Sequence, residues 1–181
     1  MLKTAFATQN VTQNSAYSSS RADYGDIVGI GSIREDDNGF RYRWVQNQHD
    51  SALAAGDVVS HDASDGVDMF KYVTDGVTAQ LGFMAGVVTS TSIAKASSDG
   101  GSDGGYGWIM ISGVYASIKF NCYQTTDIAV GTSLVPADGT VHAAYSTAMG
   151  TAPIYSRYII ALETLSSTLT TTTKKGLVCC Y

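Results

Sequence analysis

The chain has 181 residues, of which 44% are hydrophobic, enough for one sizeable core and incompatible with global disorder. Only 15% are charged and the formal net charge is −5; the densest positive spots, Lys174-Lys175 and Arg41/Arg43, form no track along a phosphate backbone, which argues against direct nucleic-acid binding. No run approaches the roughly 18 consecutive apolar residues of a membrane-spanning helix, and the opening MLKTAFATQNVTQNSAY lacks the continuous apolar segment of a secretory signal.

Residues 1–26 are polar and nearly uncharged, with Thr8-Gln9-Asn10, Thr12-Gln13-Asn14-Ser15 and Ser18-Ser19-Ser20. They read as an extended arm that orders against a partner, with Phe6, Val11 and Tyr17 as the candidate partner-binding anchors. Residues 27–181 read as one β-rich domain. Ile27 to Ile33 and Phe40 to Val45 form two strands around Asn38-Gly39, a pair that predicts a two-residue type I′ hairpin turn. The returning strand alternates Phe40, Tyr42 and Trp44 against Arg41 and Arg43, placing an aromatic face inward and a charged face outward.

A loose internal similarity follows. Leu53-Ala54-Ala55-Gly56-Asp57-Val58-Val59 resembles Ile128-Ala129-Val130-Gly131-Thr132-Ser133-Leu134-Val135, and each is followed by an Asp-Gly turn, at Asp65-Gly66 and Asp138-Gly139. Each is followed in turn by an alanine-containing apolar strand, Leu81 to Val88 and Tyr158 to Leu162, which suggests a pseudo-duplicated small barrel. Between them, after the glycine-rich loop Ser98–Gly105, stands Tyr106 to Phe120, YGWIMISGVYASIKF. It has no helix-period stripe and is rich in β-branched and aromatic types, so it predicts one long strand. Plain alternation puts Trp108, Met110, Ser112, Val114, Ala116, Ile118 and Phe120 on one face and Ile109, Ile111, Gly113, Tyr115, Ser117 and Lys119 on the other. Both faces require cover, from a barrel, a sandwich or a subunit interface. The chain closes with a threonine run, a Lys174-Lys175-Gly176 turn and a last strand, Leu177 to Tyr181. The fold expected is all-β: a compact antiparallel β-barrel or sandwich with an extended N-terminal arm.

No residues assemble into a recognisable catalytic, cofactor-binding or metal-binding constellation. His49, His61 and His142 lack ligand spacing, and His49 and His61 stand beside Asp in stretches that read as surface turns. Gly29-Ile30-Gly31 lacks the third glycine and the following helix of a dinucleotide fingerprint. Asp99 to Gly105 resembles a calcium loop in composition but has neither the spacing nor the bidentate Glu. The three cysteines, Cys122, Cys179 and Cys180, give no disulfide framework; neighbours in a strand point to opposite faces, which separates the sulfurs of Cys179 and Cys180. Trp44 and Trp108 read as core or interface anchors, with a sugar platform on a glycan-binding β-sandwich as the competing use. A non-enzymatic protein without cofactors is expected.

The turn–strand units at Ala55-Gly56 and Val130-Gly131, the Asp-Gly turns, LGFMAGVV, YGWIMISGVYASIKF and RYIIALETL together resemble structural proteins of tailed-bacteriophage heads, in particular capsid decoration (cement) proteins. The resemblance spans residues 50 to 181. It implies a virion protein on the capsid surface, made in the host cytoplasm, that clamps neighbouring subunits of the major capsid protein as a homo-oligomer, a trimer favoured, without catalysis. It transfers no catalytic residue. Other virion parts, such as a head fibre base, a tail or a baseplate protein, share the same patterns.

Overall fold

The computed structural model describes residues 30–62, 70–75, 84–95, 105–121, 127–136, 143–144, 157–166 and 171–180. The arm with Phe6, Val11 and Tyr17, the two Asp-Gly turns, most of the glycine-rich loop, Cys122 and His142 lie outside these residues. The regular structure of the described part is strand, apart from a short 3-10 segment at Phe70-Lys71. In chain order the strands are β1 (Ile33–Glu35), β2 (Arg41–Asn47), β3 (Leu53–Ala54), β4 (Val58–His61), β5 (Tyr72–Thr74) and β6 (Met84–Val88), then β7 (Ser92–Ile93), β8 (Tyr106–Asn121), β9 (Ser133–Pro136), β10 (Ala143–Ala144), β11 (Arg157–Ala161) and β12 (Thr171–Cys180).

Ten of these strands form one sheet that closes on itself twice. β2, β5, β4, β6 and β8 make a five-stranded barrel, because β8 pairs with β2 as well as with β6. β8, β10, β9, β11 and β12 make a second ring, closed where β12 returns to β8. The orientations repeat in order. In each ring the first strand runs parallel to the third (β2 to β5, β8 to β10) and every other pairing is antiparallel. Closure removes the exposed strand edges that an open sheet of this length would present.

The duplication extends to individual hydrogen bonds. Gly56 and Gly131 both have φ +89, with ordinary φ at the residue before, the pattern of a type II turn whose third position favours glycine. Gly56 N–H donates to the Val88 carbonyl and Val88 N–H to that of Asp57 (2.9 and 2.8 Å); Gly131 N–H donates to Ala161 and Ala161 N–H to Thr132 (2.8 and 3.0 Å). The strands that follow share a register: Val58 and Val59 face Val87 and Gly86, as Ser133 and Leu134 face Ile160 and Ile159. A third version stands at the start of the described chain. Gly31 (φ +88) donates to the Trp44 carbonyl and Trp44 N–H donates to Ser32 (2.7 and 2.9 Å).

β8 is the long strand expected, but its faces are not simply alternating. One register slip lies opposite Arg41 and Tyr42, which pair with Ser112 and Met110; another leaves Ala116 and Ser117 opposite Lys175 alone. Each bulge moves the alternation by one residue. Between them Gly113 and Tyr115 therefore join the face of Trp108 and Met110. A Cβ on Gly113 would lie 2.7 Å from the Phe40 ring, so glycine makes room for that aromatic. Ser112 and Val114 turn to the other face, and Val114, Ala116 and Ser117 are exposed, so the expectation of cover along the whole strand fails at its centre.

The first hairpin also differs from expectation. Its loop has three residues, Asp37, Asn38 and Gly39, closed by Asp36 N–H to the Phe40 carbonyl and Gly39 N–H to that of Asp36. Only Gly39 has positive φ (+78), where a type I′ turn needs two such residues. The reason is Asp36, whose Oδ1 accepts from the N–H groups of Asn38 and Phe40, both at 2.9 Å, and so stabilises the wider loop. The aromatic face does point inward, with Tyr42 and Trp44 buried and Arg41 and Arg43 half-buried.

Candidate functional site

Trp44 and Trp108 are directly opposed on β2 and β8, with ring centroids 5.1 Å apart. Tyr106 stacks on Trp44, and the Arg34 guanidinium lies 5.3 Å from the centre of the Trp108 ring. Trp108 is only 2% exposed and Trp44 is also buried, so neither offers a face to a sugar. Beside them Tyr42 donates its phenol to Asp36 Oδ2 (3.1 Å). Burial, reinforced by the Asp36 carboxylate, holds the Tyr42 phenol well above its ordinary range, and burial raises Tyr115 as well.

The histidines separate into two cases. His49 lies in the loop after β2, partly exposed, with Nδ1 3.4 Å from Asp50 and 3.7 Å from Asp75. His61 corrects the surface-turn expectation: it ends β4, opposite Val73, and is 1% exposed. Arg43 Nη1 lies 3.2 Å from His61 Nε2. A guanidinium has only donors, so Nε2 accepts and the ring is neutral in this contact. Phe70 meets both, edge-on to His61 at 5.0 Å and beneath the Arg43 guanidinium at 5.2 Å. Ser60 Oγ is buried without a hydrogen-bond partner, so Ser60 and His61 do not form a nucleophile–base pair. Among the described residues no group of three His, Cys, Asp or Glu side chains could hold a metal. Cys180 is buried, and Cys179 is half-buried with its thiol pushed up by burial.

Two polar anchors were not read from the sequence. Asn47, fully buried at the end of β2, donates Nδ2 to the carbonyls of Ser51 (2.9 Å) and Ala94 (3.0 Å), and accepts the His49 N–H on Oδ1 (2.8 Å). Its place beside the parallel strand β5 matches that of Asn121 beside β10, a repetition the sequence does carry. The second anchor joins the two barrels. Asp57, in the Gly56 turn, accepts the Ala54 N–H (2.7 Å) and pairs with Lys119 of β8, whose own N–H donates to the Gly56 carbonyl (2.9 Å). A Cβ on Gly56 would lie 2.2 Å from the Ser117 carbonyl oxygen. The turn of the first barrel is thus seated against the first strand of the second.

Among the described residues the Gly131 turn has no such seat: none of them lies within 4 Å of a Cβ built there, and Val130 beside it is 58% exposed. Ile33 on β1 is 44% exposed; Phe70 and Val114 complete the large apolar side chains exposed among the described residues. What the described residues offer chemically is therefore surface: turns, strand edges without a described partner and isolated apolar contacts. Comparison with known proteins gives no matching family model, no matching curated protein and no matching solved structure.

Proposed function

We propose that this chain is a decoration protein of a tailed-phage head, binding the outer surface of the capsid and clamping neighbouring subunits of the major capsid protein. It acts as a homo-oligomer, a trimer favoured, and without catalysis. The observation that supports the reading is the duplication. The turn–strand units at Ala55-Gly56 and Val130-Gly131, which carry the resemblance to such proteins, are one architectural unit built twice around β8. Two closed barrels sharing a strand make a stiff block, suited to bridging subunits that internal DNA pressure drives apart. A stable bridge buries on the order of 1,200–2,000 Å² per interface, and an oligomer gripping several sites gains avidity through effective concentration. In this reading the Thr/Gln/Asn/Ser-rich arm, with Phe6, Val11 and Tyr17, adds a strand to a capsid sheet edge, where backbone hydrogen bonds demand little of the sequence.

Gradient sedimentation of a lysate from the source, with mass spectrometry of each fraction, tests the proposal. Co-migration with DNA-filled particles at a copy number near that of the major capsid protein is the expected result. A few copies per particle would instead indicate a tail or vertex component. Recovery only among soluble proteins would refute a virion role. Deleting residues 1–26 should weaken attachment while leaving the fold intact.

A further inference from the structure

We infer that Arg43 and His61 form an acid-sensitive latch at the end of the first barrel where β4 stops and β5 begins. A proton taken up at His61 Nε2 expels the Arg43 guanidinium and releases Phe70, which packs on both side chains. The inference is independent of the proposed function and is tested on the purified protein.

The geometry leaves the imidazole one place for a further proton. His61 is 1% exposed, on the strand two along from β2 in the barrel. Arg43 Nη1 lies 3.2 Å from its Nε2. A guanidinium only donates and stays charged throughout the pH range of folded proteins, so Nε2 presents its lone pair and the ring proton sits on Nδ1. Whatever Nδ1 donates to, Nε2 alone can take up a second proton. Once it does, donor faces donor and imidazolium faces guanidinium, so proton uptake and the Arg43 contact exclude each other. Histidine is the side chain whose charge ordinarily changes between pH 5 and 8, and its presence here makes the contact responsive to mild acid.

The charged groups around the ring set the balance. Arg43 faces it from β2, and Lys71, just before β5, runs its stem 3.5 Å from a Cβ built on Gly31. Opposite His61 on β5 stands Val73. Asp62 follows in the chain with its N–H on the Tyr72 carbonyl (3.2 Å), and strand alternation turns its side chain to the other face. The described parts of β6 and β8 add no titratable group here: Met84 pairs with Ser60, and Ile109 with Arg43. Asp65 and Asp68 lie outside the described residues; a carboxylate on Nδ1 would move the pH at which the latch opens and leave unchanged which contact is lost. Phe70 gives the latch its way out. Its ring is edge-on to His61 at 5.0 Å and 5.2 Å from the Arg43 guanidinium, and it is 41% exposed, so the expelled guanidinium reaches water past it.

The test is NMR of the imidazole rings of the full chain from pH 8 to pH 4, with H61Q identifying the His61 signals and R43M those of Arg43. At pH 8 the His61 proton should be on Nδ1. As the ring takes up its second proton, the Arg43 guanidinium and Phe70 ring signals should shift with the same midpoint. H61Q keeps an oxygen that accepts from Arg43 but does not titrate, so that step should vanish from both signals. R43M should move the His61 step to higher pH by about one unit or more, because the competing guanidinium is gone. A proton on Nε2 at pH 8, an Arg43 signal that ignores the His61 step, a His61 step at the same pH in R43M, or a ring that stays neutral until the chain unfolds overturns the inference.

Discussion

Replacing Gly56 and Gly131 by alanine, one at a time, isolates the energy of the joint between the two barrels. The glycines share φ +89, so each alanine bears the same backbone penalty, roughly 1–2 kcal/mol for an L-residue in left-handed conformation. They differ in what a methyl group meets. At Gly131 no described residue lies within 4 Å; at Gly56 the new Cβ would fall 2.2 Å from the Ser117 carbonyl oxygen, about 1 Å inside any tolerable contact. Backbone lies on both sides of that clash, so no rotamer relieves it and the turn must withdraw from β8. Withdrawal breaks the bond from Lys119 N–H to the Gly56 carbonyl and pulls Asp57 from the Lys119 ammonium, a further loss of about 2–3 kcal/mol. G56A should therefore cost about 3–5 kcal/mol and G131A about 1–2 kcal/mol. Urea unfolding of dilute protein reads the difference directly, as a gap of about 1 M between the midpoints if the slope is about 2 kcal/mol/M. Equal destabilisation by the two substitutions would refute the reasoning, since it would mean that β8 does not press on the Gly56 turn.

Three further outcomes follow from buried polar groups. N47A should cost at least about 3 kcal/mol, because it strands the Ser51 and Ala94 carbonyls and the His49 N–H, and N47D should be worse, since a carboxylate would face two carbonyl oxygens; thermal melts of the three chains check both. K119M should lose about 2 kcal/mol and D57N/K119M less than the sum of the single changes, which a double-mutant cycle measures; partial exposure of Lys119 keeps the figure below that of a fully buried pair. Tyr42 and Tyr115 keep their phenolic protons to higher pH when folded than when unfolded, so the folded state binds more protons above pH 10. The stability they contribute is present below pH 10 and is lost as pH rises, by up to about 1.4 kcal/mol per unit for each group. Y42F should flatten that alkaline slope, seen as a smaller fall in urea midpoint between pH 9.5 and 11.

The sequence carried those features whose cause is local. The β-branched and aromatic run at 106–121 is a strand whatever it pairs with, and the Gly56 and Gly131 turns were legible because positive φ selects glycine in the same place twice. The features set by distant partners were not legible. Asn38-Gly39 is locally a two-residue turn, yet Asp36 wins by capping two N–H groups at once. His61-Asp62 is locally a turn, but pairing of His61 with Val73 carries β4 through it and buries the ring against Arg43. The Asp57–Lys119 pair joins residues 62 positions apart and leaves no periodic trace in composition.

The two bulges in β8 tie these levels together. A single strand that belongs to two barrels must serve one with its first half and the other with its second. Strict alternation would give it the same two faces from end to end. By inserting one residue near Ile111 and another at Ala116–Ser117, β8 places Gly113 and Tyr115 beside Phe40 and Tyr42, then restores Ile118 and Phe120 to the face of Trp108. Gly176 completes the fit, since a Cβ there would lie within 3 Å of both Ile118 and Ile159. The second bulge is where Ser117, with Lys119 just beyond it, receives the Gly56 turn. The irregularity that defeats a period-two reading of the strand is thus the same irregularity that seats one barrel against the other.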